Sequence, residues 1–460
     1  MMGSPHKEQL LAPTLNLRLR GIYRLSLPIV LFVYCGFFHW SYAHWVSHIW
    51  GLEEGLTYQT PDAFLVILAY FFSVSLCLVS PFVIRRPSQI FYWFLYLTVY
   101  IPSLFVPLFV RLENTETLVL MQLSITGAML IIALAYRLPR MKLRRYPLST
   151  RSFWSAFFVL YCAFNATVLI VFHGSLHFSS LQEMYSIRYQ QGQVLGGVAG
   201  RGHSVTAYVL IWLSNIFNPL LIAYGAWKRR WVLLVLGTFG ELFLYMAASA
   251  KGVLLAPLLV ILCYYSLKND RGGWVARLSY IFAGLSSLPA AATIVNGSFV
   301  FLLGFLFLVR STALPGLFFA QYQHFFTVFP HTYFGHVRGV SFFIPYKFQL
   351  PMGMEVSSFY HGGSSLGYEE NNASFFASDG VAGLGLPGVL LMGMVCAIVF
   401  WIFDSSARAL PLYFSAPATI PVGLYLANVS LFTTLISYGL ALWILLFLFL
   451  PREFLGPRET

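Results

Sequence analysis

Apolar runs that approach or exceed the roughly 18 residues needed to cross a bilayer recur along this chain. That pattern leaves few folds open. A β-barrel is excluded, because barrel strands alternate apolar and polar residues and these runs do not. What remains is an all-α polytopic membrane protein. Composition agrees: 58% of the 460 residues are hydrophobic and 10% are charged, against about 25% charged in soluble globular proteins. Sized by hydropathy, the runs give about twelve transmembrane helices. They fall at 24–41, 63–84, 89–110, 117–136, 152–172, 204–227, 231–249, 252–267, 278–296, 386–403, 415–433 and 436–451. We read 1–460 as a single integral membrane domain without internal repeats. The segment Met1 to Arg24 is polar and basic, and the first apolar run is long enough to stay as an anchor, so no cleavable signal peptide is expected.

The formal net charge of +12 would suggest nucleic acid in a soluble protein. Here it follows topology, and no nucleic-acid partner is expected. Threading the spans alternately puts Arg18, Arg20, Arg24, Arg85, Arg86, the cluster Arg137 to Arg151, Lys228 to Arg230, Lys268, Arg271, Arg277, Arg408 and Arg452 on one side. The positive-inside rule assigns that side to the cytoplasm, with both termini. Only Arg111, Arg188, Arg201, Lys251, Arg310, Arg338 and Lys347 fall on the other side. The cysteines Cys35, Cys77, Cys162, Cys263 and Cys396 each lie in an apolar run and read as small core hydrophobes.

Two outer loops stand out, 173–204 and the larger 297–385. The second opens with Ser298–Val309, an apolar run too short to cross comfortably, which reads as an interfacial or re-entrant helix ending at Arg310. Pro315, Pro330, Pro345 and Pro351 break up the rest of that loop, among dense aromatic residues.

Charge gathered in such loops marks the place for chemistry. Arg188, Arg201, Lys251, Arg310 and Arg338 are candidates for gripping phosphate, because guanidinium forks bind its oxygens bidentately. Taken singly, each also reads as a snorkelling or salt-bridged loop residue. Glu369, Glu370 and Asp379 are candidate general bases toward a sugar hydroxyl, or loop and capping residues. His361, in His-Gly-Gly-Ser-Ser, is a further candidate base. His324, His331 and His336 are spaced too irregularly for a metal site. Glu241 lies inside a span, where a carboxylate is either functional or protonated and bonded to a neighbouring helix. No Walker motif, Rossmann fingerprint, HExxH or GxSxG stands in a persuasive setting, so no bound nucleotide, cofactor or metal is expected.

Three segments carry a family resemblance. Tyr185-Ser186-Ile187-Arg188-Tyr189 follows the fifth span; Arg310-Ser311 follows a short apolar helix; and Asn371-Asn372-Ala373-Ser374-Phe375-Phe376-Ala377-Ser378-Asp379 leads into Gly383-Leu384-Gly385-Leu386-Pro387-Gly388. Together they resemble the Wzy family of bacterial oligosaccharide repeat-unit polymerases, including O-antigen and enterobacterial common antigen polymerases. Ser378 is a one-residue departure from the family's pattern before the Asp, and Lys251 stands where related chains often have Arg.

The resemblance implies a GT-C-like, metal-independent glycosyltransferase of the bacterial inner membrane, acting at the periplasmic face. Glycan on undecaprenyl pyrophosphate would be donor, a lipid-linked repeat unit the acceptor, and undecaprenyl pyrophosphate the leaving group. A chain-length regulator would be a partner beside the membrane lipids. Tyr189, Tyr333, Tyr360 and Asn372 would contact sugar. The rivals are a lipid-linked oligosaccharide flippase, for which a midplane site at Glu241 would speak, an O-antigen ligase transferring glycan to lipid A core, and a membrane scaffold.

Overall fold

The computed structural model describes residues 6–52, 54–174, 176–178, 205–270, 272–289, 298–337, 339–361 and 375–456, with 6–20, 22, 251, 298–300 and 361 described in backbone only. Every regular element among the described residues is helical. In chain order these are α1 (Tyr23–Trp50), α2 (Ala63–Val79), α3 (Ser88–Val110), α4 (Thr115–Ala135), α5 (Thr150–Phe172), α6 (Val205–Lys228), α7 (Trp231–Ala248), α8 (Lys251–Lys268), α9 (Trp274–Ser286) and α10 (Phe301–Val328). They continue as α11 (Met352–His361), α12 (Phe376–Leu384), α13 (Leu386–Ser406), α14 (Leu412–Tyr425), α15 (Leu431–Ile436) and α16 (Leu440–Phe449). Among the described residues, nine helical stretches are long and apolar enough to cross a membrane, the ninth being α15 and α16 taken together (Leu431–Phe449), so this is a polytopic helical membrane protein.

Local sequence sets the helix ends. The side chains of Asp62, Asn114 and Ser149 accept the first free amides of α2, α4 and α5, from Phe64 at 2.8 Å, Thr117 at 2.8 Å and Ser152 at 3.1 Å. Ser80, held extended before Pro81, stops α2 at Val79 and not at 84 as its hydropathy suggests. Between α15 and α16 the chain turns at Gly439 (φ +91°), inside the expected 436–451 window.

The basic loops share one end. The Arg86 guanidinium donates to Leu138 O at 2.7 Å, and the Trp401 indole to Pro139 O at 2.8 Å. Tyr146 N–H donates to Leu448 O at 2.9 Å, the Trp154 indole to Glu453 at 2.7 Å, and the Tyr224 ring, beside Arg230, packs 4.5 Å from Phe454. Asp404 is fully buried there, accepting from Ser88 Oγ at 2.7 Å and from Ser88 N–H at 3.1 Å.

α10 corrects one expectation. The helix does not end at Arg310, nor does Pro315 break it. It passes through π-helical turns at Phe305–Ala313 and continues to Val328, with Pro315 in the first turn of the last stretch, where the missing N–H costs nothing. A helix this long measures about 42 Å, more than the ~30 Å hydrocarbon core. Even so, it starts and finishes at the same end of the bundle. Phe301 packs 5.4 Å from Trp50, at the far end of α1. His324 sits 3.2 Å from Glu113, just past the far end of α3. Those two far ends coincide, since the Tyr42 ring lies 4.8 Å from Phe109, and Gln59 N–H donates to Phe109 O at 2.8 Å. α10 is thus one continuous helix whose two ends contact that end of α1 and α3, and residues 301–328 of the expected outer loop are helical. Of the cysteines, Cys162 is exposed on α5 while the other four are buried.

Candidate functional site

The end opposite the basic loops gathers the described candidates. α12 is a short helix joined to α13 through Gly385, whose φ of +69° suits a residue without a side chain. At Gly388 a Cβ would collide with the Gly380 carbonyl, so the two helices meet backbone to backbone. This junction fixes Asp379, which is 5% exposed. Its Oδ2 accepts from the Ser430 hydroxyl at 2.8 Å and from Leu431 N–H at 3.1 Å, and so caps α15. Its Oδ1 faces His336 Nε2 at 3.6 Å. On the other side of that ring, Nδ1 lies 2.7 Å from Thr332 Oγ1, and Thr332 N–H donates to Ala382 O at 2.8 Å. Asp379 is thus enclosed, with Oδ2 tied to α15 and Oδ1 facing a histidine nitrogen that has no hydrogen-bond partner.

The next two residues, Tyr333 and Phe334, hold φ of +49° and +65°, a left-handed conformation that costs bulky residues energy. Tyr333 is exposed, with Lys347 Nζ 6.0 Å from its ring. Tyr360 lies on α11 with its hydroxyl 3.4 Å from Gln321 O and its ring 6.3 Å from His324. Burial, and then the charge of Glu113, pushes the Tyr360 phenol well above its usual range. Tyr360, Gln321, His324 and Glu113 form a second polar group at this end.

Arg310 lies in the π-helical part of α10, exposed, after the apolar run Phe305 to Val309 and before Ser311 and Thr312. It has no ion-pair partner among the described residues. Lys251 begins α8, and its neighbour Gly252 approaches Tyr425, five residues before the Ser430 that holds Asp379. At the start of the first outer loop, His177 N–H meets Met246 O at 3.4 Å, near the end of α7.

The structure therefore brings the backbone at Lys251 and the side chain of Asp379 to one segment, 425–431. Arg188, Arg201, Arg338, Tyr189, Glu369, Glu370 and Asn372 lie outside the described residues, and the side chains of Lys251 and His361 are not described. Sequence reasoning missed the partnership of His336, Thr332 and Ser430 with Asp379. No local signal announces contacts made across 43 and 51 positions. Compared with protein-family models, curated proteins and solved structures, the chain matches none.

Proposed function

We propose that this protein polymerises undecaprenyl-pyrophosphate-linked oligosaccharide repeat units at the periplasmic face of a bacterial inner membrane. In this reading about twelve helices cross the membrane in a GT-C-like arrangement and the basic end faces the cytoplasm. The acceptor hydroxyl of the incoming unit attacks the anomeric carbon of the growing glycan. The bond from that carbon to pyrophosphate breaks, the hydroxyl proton passes to a base, and undecaprenyl pyrophosphate leaves.

The observation that carries the reading is Arg310. An ionised side chain amid apolar helix costs about 2.5–3.5 kcal/mol on insertion scales unless it meets a partner. α10 holds such a cation in its π-helical middle, without an acidic partner among the described residues. A lipid diphosphate supplies the missing charge, and fixed cations stabilise it further as the bond to sugar breaks. Arg188, Arg201, Lys251 and Arg338 are proposed to join Arg310. Glu369, Glu370, Asp379 and His361 are the proposed bases. Tyr189, Tyr333, Tyr360 and Asn372 are proposed to contact sugar.

The test is to give the purified protein lipid-linked repeat units in detergent. Products of two or more repeats are expected. If only single repeats remain, polymerisation is wrong. Adding lipid A core as acceptor separates a ligase, which would glycosylate the core and leave the repeat units unextended. A flippase is the second reading, favoured by the buried polar group around Glu241; detergent offers it no compartments, so it would yield no product.

A further inference from the structure

Deep in the helical body, α5, α6, α7 and α16 meet around polar atoms that nothing among the described residues satisfies. Glu241, near the middle of α7, is 0% exposed, and neither carboxylate oxygen has a hydrogen-bond partner. Ser214 and Asn218 of α6 lie within reach of it, though not in hydrogen-bonding geometry, and no cationic side chain among the described residues acts on it. Asn218 is 0% exposed, and neither its Oδ1 nor its Nδ2 has a hydrogen-bond partner. Asn215, 1% exposed, leaves its Oδ1 unpartnered as well. Hydrogen-bonded burial is the rule, and leaving one such group unmade is costly. Several in one place indicate a missing occupant.

The surroundings are built to permit this. α6 widens into π-helical turns at Leu213–Phe217, a distortion frequent at functional sites. Ser214 lies within it and Asn218 immediately follows it, and both act on Glu241. The Asn215 carbonyl accepts the Trp443 indole N–H of α16 at 3.0 Å. On α7, Gly240 leaves room that a Cβ would deny, because the Asn218 side chain and the Tyr161 hydroxyl of α5 press against it.

We propose that this junction binds sodium, coordinated by Glu241 with the side-chain oxygens of Asn218 and Ser214, and that a proton competes for the carboxylate. The donors are all oxygens, which suit a hard cation. One carboxylate without a buried cationic neighbour balances one positive charge; a divalent ion would leave an excess charge in a low-dielectric interior. Intramembrane carboxylates next to distorted helix are recurrent sodium and proton sites in other membrane proteins. The assignment is independent of the polymerase and flippase readings.

The experiment uses the full chain in detergent, exchanging choline chloride for sodium chloride at constant ionic strength. Sodium is expected to raise Tm by on the order of 3 °C. It is also expected to cut labelling of Glu241 by an apolar carbodiimide, which attacks protonated carboxyls, at least five-fold, read by peptide mass spectrometry. Glu241→Gln should abolish the sodium-dependent shift in Tm. Should that variant fail to fold, labelling of the unaltered protein decides alone. Equal Tm and equal labelling in choline and sodium would overturn the proposal and leave a proton or water as the occupant. Neither readout depends on glycan chemistry, so either proposal can fail without the other.

Discussion

Asp379 Oδ2 lies 2.8 Å from Ser430 Oγ, and this contact joins the helix before α13 to the start of α15 across 51 positions of sequence. The same carboxylate also takes Leu431 N–H and faces His336. Asp379→Ala strands these buried donors and is expected to destabilise the protein by about 1–3 kcal/mol. Asp379→Asn keeps an acceptor and should cost less. Thermal unfolding in detergent measures both; equal stability of all three proteins would show that the tie contributes nothing.

The contacts at the two ends of α10 predict a labelling pattern. Phe301 and Val328 are both exposed, near opposite ends of the helix. In a cysteine-free background, Phe301→Cys and Val328→Cys should both react with a membrane-impermeant thiol reagent added on one side, whereas Lys142→Cys in the basic loop reacts only from the other. Reaction of the two α10 positions from opposite sides would make α10 a full span.

Arg310→Ala should insert normally, since the side chain is exposed and has no ion-pair partner among the described residues. Chain extension from lipid-linked repeat units should fall at least 100-fold, because losing one charge-stabilising donor costs about 2.7–4 kcal/mol at such a site. Arg310→Lys should recover only part, lacking the bidentate fork. Wild-type extension by a correctly inserted Arg310→Ala protein would remove Arg310 from the mechanism.

Gly388→Ala places a methyl against the Gly380 carbonyl, backbone that cannot swing aside. A loss of about 1–3 kcal/mol is expected from the forced separation of α12 and α13. Gly284→Ala, where a Cβ meets nothing within 4 Å, serves as the control. Similar Tm for both variants would show that the close approach is not needed.

Much of the fold was legible because lipid imposes it. A backbone in hydrocarbon must satisfy its own hydrogen bonds, so apolar length alone announces helices, and Arg and Lys spacing announces which ends share a side. Where sequence and structure part, local geometry intervenes. Ser80 and Pro81 cut α2 short, and the π-helical turns of α10 carry a helix through Arg310, where charge suggests an end. The Gly383 to Gly388 motif is visible as letters; its meaning as a backbone-to-backbone junction is not.

The sequence by itself determined that the chain is helical, membrane-embedded and asymmetric in charge, because those properties sum over residues one at a time. Only the tertiary structure decided that Asp379 faces His336 and Ser430, that both ends of α10 contact one end of the bundle, and that Glu241 meets the unpartnered Asn218. Each of these depends on which helix packs beside which. Apolar surfaces set that choice weakly in lipid, and small residues and interhelical contacts settle it.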